Sequence, residues 1–314
     1  MNHIHITTEG SRLYYKKSHL HITEKIGKKH KFLLNSISVL EIRAKSEIDS
    51  NLLIQCHLNG IRVVICSDEG LEVTRLDPAI MRPGLRYRQY AFCLSEGSKF
   101  IARDWLLMKV HAQDAWLLRV INEINKQRIS DTYVKWQARV KTVTTDNIIR
   151  REAIMQKQYY RVINELLPKE FRFAKRTRMP AKDYFNALVN YLYGMLYIIV
   201  EDALLESGLD VYLGLIHAIK KKNKALVYDL IEPYRPWVDE TVVMMIRAEV
   251  IRPQDFFFQG KAMRITSGLK KILITQWHQL MSENIRWEGK SRSRKNHIYL
   301  KAAQLGKIIS KYKP

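Results

Sequence analysis

Apolar and polar positions alternate with a period of two at the start of the chain, in His3-Ile4-His5-Ile6-Thr7, Arg12-Leu13-Tyr14-Tyr15 and His19-Leu20-His21-Ile22-Thr23. Side chains two apart share one face of a strand, so these segments predict β-hairpins with Glu9-Gly10 and Lys17-Ser18 between them. A further extended piece is expected at residues 39–42 and a helix from Ser50 to Asn59, ended by Gly60. The run Arg62-Val63-Val64-Ile65-Cys66 then predicts a buried strand. Pro78, Pro83 and Gly84 interrupt both periodicities and the basic stretch from Arg82 to Arg88 follows, which predicts a linker over residues 78–98.

From Phe100 onward the apolar residues recur at intervals of three and four, as on one face of a helix. The helices expected run from Phe100 to Gln127, Ile148 to Leu167, Tyr184 to Leu205 and Trp237 to Val250. Asp146 and Asp183 stand where N-caps belong, and Pro168 and Gly208 where helices stop. The fold class predicted is therefore α+β: a small β-rich N-terminal domain, residues 1–77, followed by a larger all-α domain, residues 99–314. The most apolar stretch, Ala187 to Val200, falls short of the roughly 18 to 20 residues of a membrane span and predicts a buried helix.

Charge narrows the partners. The 314 residues carry 53 Lys and Arg against 31 Asp and Glu, a formal net charge of +22, and such a positive field attracts polyanions, nucleic acid foremost. Cys56, Cys66 and Cys93 form no C-x-x-C pair, which argues against a disulfide framework and a cysteine zinc site and fits a reducing cytoplasm. The opening MNHIHITTEG lacks the layout of a secretory signal. After Glu288 no acid occurs, while Lys290, Arg292, Arg294, Lys295, Lys301, Lys307, Lys311 and Lys313 do. That predicts a basic C-terminal arm, either a solubilising tail or, through Ile298, Leu300, Leu305, Ile308 and Ile309, a helix lying along phosphates.

The candidate chemistry lies in the helical part. Asp229 and Glu232 sit three residues apart inside the apolar run Val227-Tyr228-Asp229-Leu230-Ile231-Glu232, on one helix face. Buried acids need partners, and Arg235 or the run Lys220 to Lys224 offers them by default. His217, after the apolar Gly214-Leu215-Ile216, adds an imidazole, and Glu152, next to Arg150 and Arg151, a further carboxylate. An imidazole with carboxylates makes a mixed nitrogen and oxygen site suited to Mg²⁺ or Mn²⁺, whereas each group taken singly reads as a salt bridge or a core histidine.

The order of these segments resembles the CRISPR-associated adaptation integrases, the Cas-one family. Glu152-Ala153-Ile154-Met155-Gln156-Lys157-Gln158-Tyr159-Tyr160 resembles its E-G-x-x-A-x-x-x-Y helix, with Ala153 for the usual glycine. Asn186-Ala187-Leu188-Val189-Asn190-Tyr191 is similar to N-A-L-x-N-Y, and Gly208-Leu209-Asp210-Val211-Tyr212-Leu213-Gly214-Leu215-Ile216-His217 to G-L-D-P-Y-x-G-F-x-H. Leu226 to Pro236 resembles L-x-x-D-L-x-E-x-F-R-P, with Pro233 where an acid is common. Asn59-Gly60-Ile61-Arg62-Val63 resembles the N-G-I-x-V strand, and Lys109-Val110-His111-Ala112-Gln113 the A-K-I-x-N-Q helix.

The resemblance implies a catalytic helical domain in which Glu152, His217 and Glu232 are metal ligands and Asp229 a supporting acid. It implies insertion of short double-stranded DNA fragments into a repeat array by transesterification, a homodimer formed through the β-rich domain, and two such dimers bridged by a Cas-two dimer. Lys169, Arg172, Lys175, Arg176, Arg178 and Lys182 are the candidate nucleic-acid contacts, and Tyr159, Tyr191 and Trp287 candidates for stacking on frayed bases. The rival readings are a stand-alone metal-dependent nuclease for branched or single-stranded DNA and a non-catalytic basic nucleic-acid-binding module.

Overall fold

The computed structural model describes residues 2–66, 73–76, 83–123, 131–217 and 223–314. The chain divides into two compact units, Met1–Met81 and Arg82–Pro314.

In the first unit the elements are β1 (Asn2–Ile6), β2 (Ser11–Lys16), β3 (His19–Thr23), β4 (Lys29–Leu33), β5 (Ile37–Ile42), β6 (Ser46–Ile48), α1 (Ser50–Leu58), β7 (Arg62–Cys66) and β8 (Val73–Leu76). They form two four-stranded sheets, ordered β4-β3-β2-β6 and β1-β5-β7-β8. The hairpin expected between β2 and β3 forms, and Lys17 and Ser18 both take positive φ (47° and 61°), the turn whose twist matches that of the strands it joins. β1, by contrast, makes no hairpin with β2. It pairs in parallel with β5, His5 opposite Glu41, in the other sheet. Alternation specifies a strand but not its partner, and this partner lies more than thirty residues away in sequence. Leu13 and Leu20 from one sheet, Leu40 and Val63 from the other and Leu52 from α1 meet in one core.

The second unit is mostly helical: α2 (Pro83–Cys93), α3 (Glu96–Glu123), α4 (Asp131–Val140), α5 (Ile148–Leu166), α6 (Tyr184–Glu206), α7 (Ala225–Leu230), α8 (Arg235–Arg247), α9 (Ser267–Ser282) and α10 (Arg294–Lys311). Two antiparallel ribbons, β9 (Phe256–Gln259) with β10 (Ala262–Ile265) and β11 (Asn284–Trp287) with β12 (Lys290–Ser293), interrupt it where an all-α domain was expected. Their strands are four residues long, too short for alternation to stand out. Of the linker expected over 78–98, residues 83–93 are helical and α3 has begun by 96. Pro83 is the first residue of α2, where a missing N–H costs nothing, so it starts a helix rather than breaking one. Residues 78–82 and 124–127, on which the linker and the first long helix were also placed, lie outside the described residues.

α6 is long and apolar enough to cross a membrane by composition, yet it is buried on nearly every side within this unit. Asp183 caps it, accepting from the Asn186 backbone N–H at 2.8 Å, and Gly208 (φ 75°) follows its end, both as expected. Asp146 does not cap α5. That position falls to Asn147, whose side-chain oxygen instead accepts from the Thr144 N–H. The basic arm is likewise no free tail. α10 buries Ile298, Leu305 and Ile309 and packs on α6, while Arg294 pairs with Glu283 and Lys301 with Glu288. Its apolar stripe is spent on the core, leaving residues such as Lys307 and Lys311 exposed.

Candidate active site

Five segments of the second unit build the site. α3 brings Lys109, α5 brings Glu152 in its second turn, the loop after α6 brings His217, α7 brings Asp229, and the short 3₁₀ turn Glu232–Tyr234 leads into α8 with Arg235. Lys109, only 2% exposed, donates from Nζ to Glu152 Oε1 and to Glu232 Oε2, each at 2.7 Å. The other Glu232 oxygen accepts from Arg235 Nε at 2.7 Å. Two carboxylates eighty residues apart in sequence therefore meet on one cation. Burial works against the charge of Glu232, but Arg235 and Lys109 outweigh it and hold the carboxyl down at about 2. Burial likewise works against the Lys109 ammonium, and the two glutamates overcome it and raise its pKa.

His217 is held differently. Its Nδ1 lies 2.5 Å from Asp229 Oδ1, and that hydrogen bond raises the imidazole pKa against the effect of burial. Asp229 is buried, and its two oxygens also accept from the backbone N–H groups of Leu215 (2.5 Å), Ile216 (3.3 Å) and His217 (3.3 Å). One carboxylate thus folds the 214–217 turn and orients the ring at its end. Gly214 is required there, since a Cβ would lie 2.7 Å from the Ala225 methyl and 2.7 Å from the His217 carbonyl oxygen. Asp229 thus makes four hydrogen bonds, three with backbone N–H groups and one with the His217 ring.

Among the described residues the donor atoms of Glu152, His217 and Glu232 do not all lie within 4.8 Å of one another; Lys109 bridges the two acids and Asp229 holds the imidazole. The donor chemistry nonetheless fits a divalent ion. Two carboxylates already converge on one positive charge, and an imidazole whose Nδ1 is committed to a carboxylate keeps Nε2 for a ligand. Of the default partners, Arg235 does pair with Glu232, Lys224 pairs with Glu201, and residues 220–222 lie outside the described residues.

Behind the site lies a buried network that sequence reasoning missed. Asp239 on α8 accepts from the Tyr159 hydroxyl at 3.0 Å and the Tyr193 hydroxyl at 2.8 Å, and Trp116 Nε1 donates to Tyr159 at 3.0 Å. Burial pushes the Asp239 carboxyl up to about 6, against the Tyr193 hydrogen bond and the charge of Arg176. Tyr159 and Tyr191 are buried and cannot stack on bases, and Trp287, half-buried, packs on Tyr234 and Trp237. Nothing in the sequence marked Asp239. Lys109 had a signal, its place in the A-K-I-like helix.

Of the candidate DNA contacts, Lys169, Arg172, Lys175, Arg178 and Lys182 are exposed along the segment between α5 and α6. Arg176 is not free in this way, since its guanidinium donates to Asn186 Oδ1 and Asn190 Oδ1, each at 2.7 Å. The two asparagines of the N-A-L-x-N-Y stretch tie that segment to α6. A groove of about 440 Å³ along α4 and α5, lined by Arg139, Ala153, Ile154, Lys157, Gln158 and Arg161, adds three exposed cations that the sequence had not singled out.

Residues 4–279 match the family model described as CRISPR associated protein Cas1, and the chain belongs to that family. Over 309 residues it is 26% identical to CRISPR-associated endonuclease Cas1 4 of Methanospirillum hungatei, covering 97% of this chain and 85% of that protein. Its fold is similar to that of a casposase bound to integration product, at a TM-score of 0.85 and 20% identity over 100% of this chain and 92% of that one. It is also similar to a chain of a Cas6-RT-Cas1–Cas2 complex, at a TM-score of 0.83 and 20% identity over 98% of this chain and 35% of that longer one.

Proposed function

We propose that the chain is a metal-dependent DNA integrase and endonuclease of CRISPR spacer acquisition, joining the 3′-hydroxyl of a DNA fragment to repeat DNA by transesterification. The observation that carries the reading is the meeting of Glu152 and Glu232 on a single cation, with the ring of His217 fixed by Asp229. Mg²⁺ or Mn²⁺ held by Glu152, His217 and Glu232 would neutralise charge developing on the phosphoryl oxygens and sharpen the attacking oxygen. Around it, Asp229 fixes the tautomer and orientation of His217, and Arg235 anchors Glu232. Lys109 keeps the two acids paired in the absence of the ion. The exposed cations of the groove along α4 and α5 and of the 169–182 segment would bind the DNA backbone.

The partners we infer are the fragment and the repeat DNA, a second copy of the chain and a Cas2 dimer bridging two such dimers, in the cytoplasm. Names of similar proteins support this: the M. hungatei relative is an endonuclease, one fold neighbour holds an integration product, and another assembles with Cas2.

A strand-transfer assay with labelled fragment, supercoiled repeat DNA and Mn²⁺ tests the reading. Joined products are expected from the wild type, and their loss in His217→Ala and in Glu232→Gln with DNA affinity nearly unchanged, since affinity comes from phosphate neutralisation. Joining retained in both variants refutes the metal assignment, and hydrolysis without joining favours a stand-alone nuclease. One observation favours a non-catalytic module, namely that Lys109 and Arg235 already satisfy both glutamates. That reading predicts no reaction with any divalent ion.

A further inference from the structure

The β-rich unit holds a second group of metal-type side chains, independent of the acids above. His3 and His5 are two apart on β1 and so share one face of that strand, and the parallel register sets His5 opposite Glu41 on β5. His3 Nε2 lies 3.0 Å and His5 Nδ1 3.2 Å from the same oxygen, Oε2 of Glu41, and the two rings stack with centroids 4.1 Å apart. All three donor atoms fall within 4.8 Å of one another, the one set of three or more His, Cys, Asp or Glu ligands among the described residues that does.

We propose that His3, His5 and Glu41 bind one Zn²⁺-class ion that fastens the edge strand β1 to β5. Four-coordinate zinc sits about 2.0–2.1 Å from imidazole nitrogen and carboxylate oxygen, so neighbouring ligands are about 3.3 Å apart, close to the two distances observed to Oε2. Two imidazoles with one carboxylate make a donor set that prefers zinc and its late first-row neighbours to Mg²⁺. Glu41 is 2% exposed, which fixes one ligand rigidly, while His3 at 21% and His5 at 15% leave access for the ion and for water in the fourth position. Arg43 engages the other carboxylate oxygen, Oε1, which leaves Oε2 to the histidines. Its charge lowers the affinity below that of a site without a neighbouring cation. Among the described residues β1 ends its sheet and pairs with β5 alone, so an ion bridging it to β5 would supply a fastening that the ladder alone lacks.

The absence of paired cysteines does not bear on this site, whose ligands are of a different class. The test uses the untagged full-length chain carrying His217→Ala, so that ions at the helical unit's acids do not obscure the reading. After chelator treatment it is titrated with Co²⁺, whose visible absorption is intense in a four-coordinate site and faint in an octahedral one, and then with Zn²⁺ by calorimetry. One equivalent of four-coordinate Co²⁺ is expected, displaced by Zn²⁺ and untouched by excess Mg²⁺, together with a rise in the melting temperature.

His3→Gln and His5→Gln keep a hydrogen-bonding group beside Glu41, and each should weaken Zn²⁺ binding at least about tenfold, the effect that loss of even an outer partner of a ligand produces. Absence of binding in the parent chain overturns the proposal, as does unchanged binding in both variants. Should either variant fail to fold, the other decides by the same criterion, and should both fail, the parent's Co²⁺ spectrum decides.

Discussion

Lys109 shows how much one side chain changes the meaning of the acids around it. A fully buried ammonium costs several kcal/mol to desolvate and persists only because Glu152 and Glu232 both accept hydrogen bonds from it. Lys109→Met fills the same space without the charge and returns Glu152 and Glu232 to mutual repulsion. We expect it to lower unfolding free energy by about 3 kcal/mol in the absence of metal. Mn²⁺ should restore more of the midpoint than it adds to the wild type, which denaturation with and without the ion measures. Asp239 gives a second expectation. Its carboxyl is raised in the fold from 3.8 to about 6, so its contribution to stability is full below the lower value and lost as pH rises through the upper one. Wild-type stability relative to Asp239→Asn should fall across that window by on the order of 3 kcal/mol. Urea midpoints of the two proteins from pH 3.5 to 7.5 read this directly, and parallel curves would refute the raised value.

Among the elements, the turn from Gly214 to His217 leaves little room for substitution. Its backbone N–H groups converge on Asp229, and its first residue touches Ala225 of α7 so closely that a methyl group has no place. Gly214→Ala should cost about 1–3 kcal/mol, the range for overpacking, and abolish joining by displacing His217 while DNA affinity persists. Melting curves and the strand-transfer assay check the two parts. The segment between α5 and α6 obeys the same logic with a different tether. Arg176 is spent on Asn186 and Asn190, which holds the stretch carrying Lys169, Arg172, Lys175, Arg178 and Lys182 against α6. Arg176, a candidate DNA contact by sequence, is here spent on a fastening.

At the scale of the molecule the net charge of +22 is dispersed over many exposed Lys and Arg, and part of it is consumed internally by Lys109, Arg176 and Arg235. DNA affinity should therefore fall steeply with salt. Replacing Arg139, Lys157 and Arg161 together by Ala should reduce the slope of log K against log salt by about 2 to 3, near 0.9 for each phosphate no longer neutralised. Fluorescence anisotropy from low to moderate salt tests it, and an unchanged slope would remove that groove from the DNA path.

The sequence by itself determined the class of fold, the strand at Arg62–Cys66, and the cap and stop of α6. These are legible because period, capping chemistry and residue type act over a few neighbouring positions. Only the tertiary structure decided that β1 joins β5, that α10 is core and not a tail, that Tyr159 and Tyr193 serve Asp239, and that Lys109 holds the two glutamates together. Each of those is a pairing between distant segments, selected by burial and by the need of every buried charge for a partner, and local pattern carries no record of which partner that is.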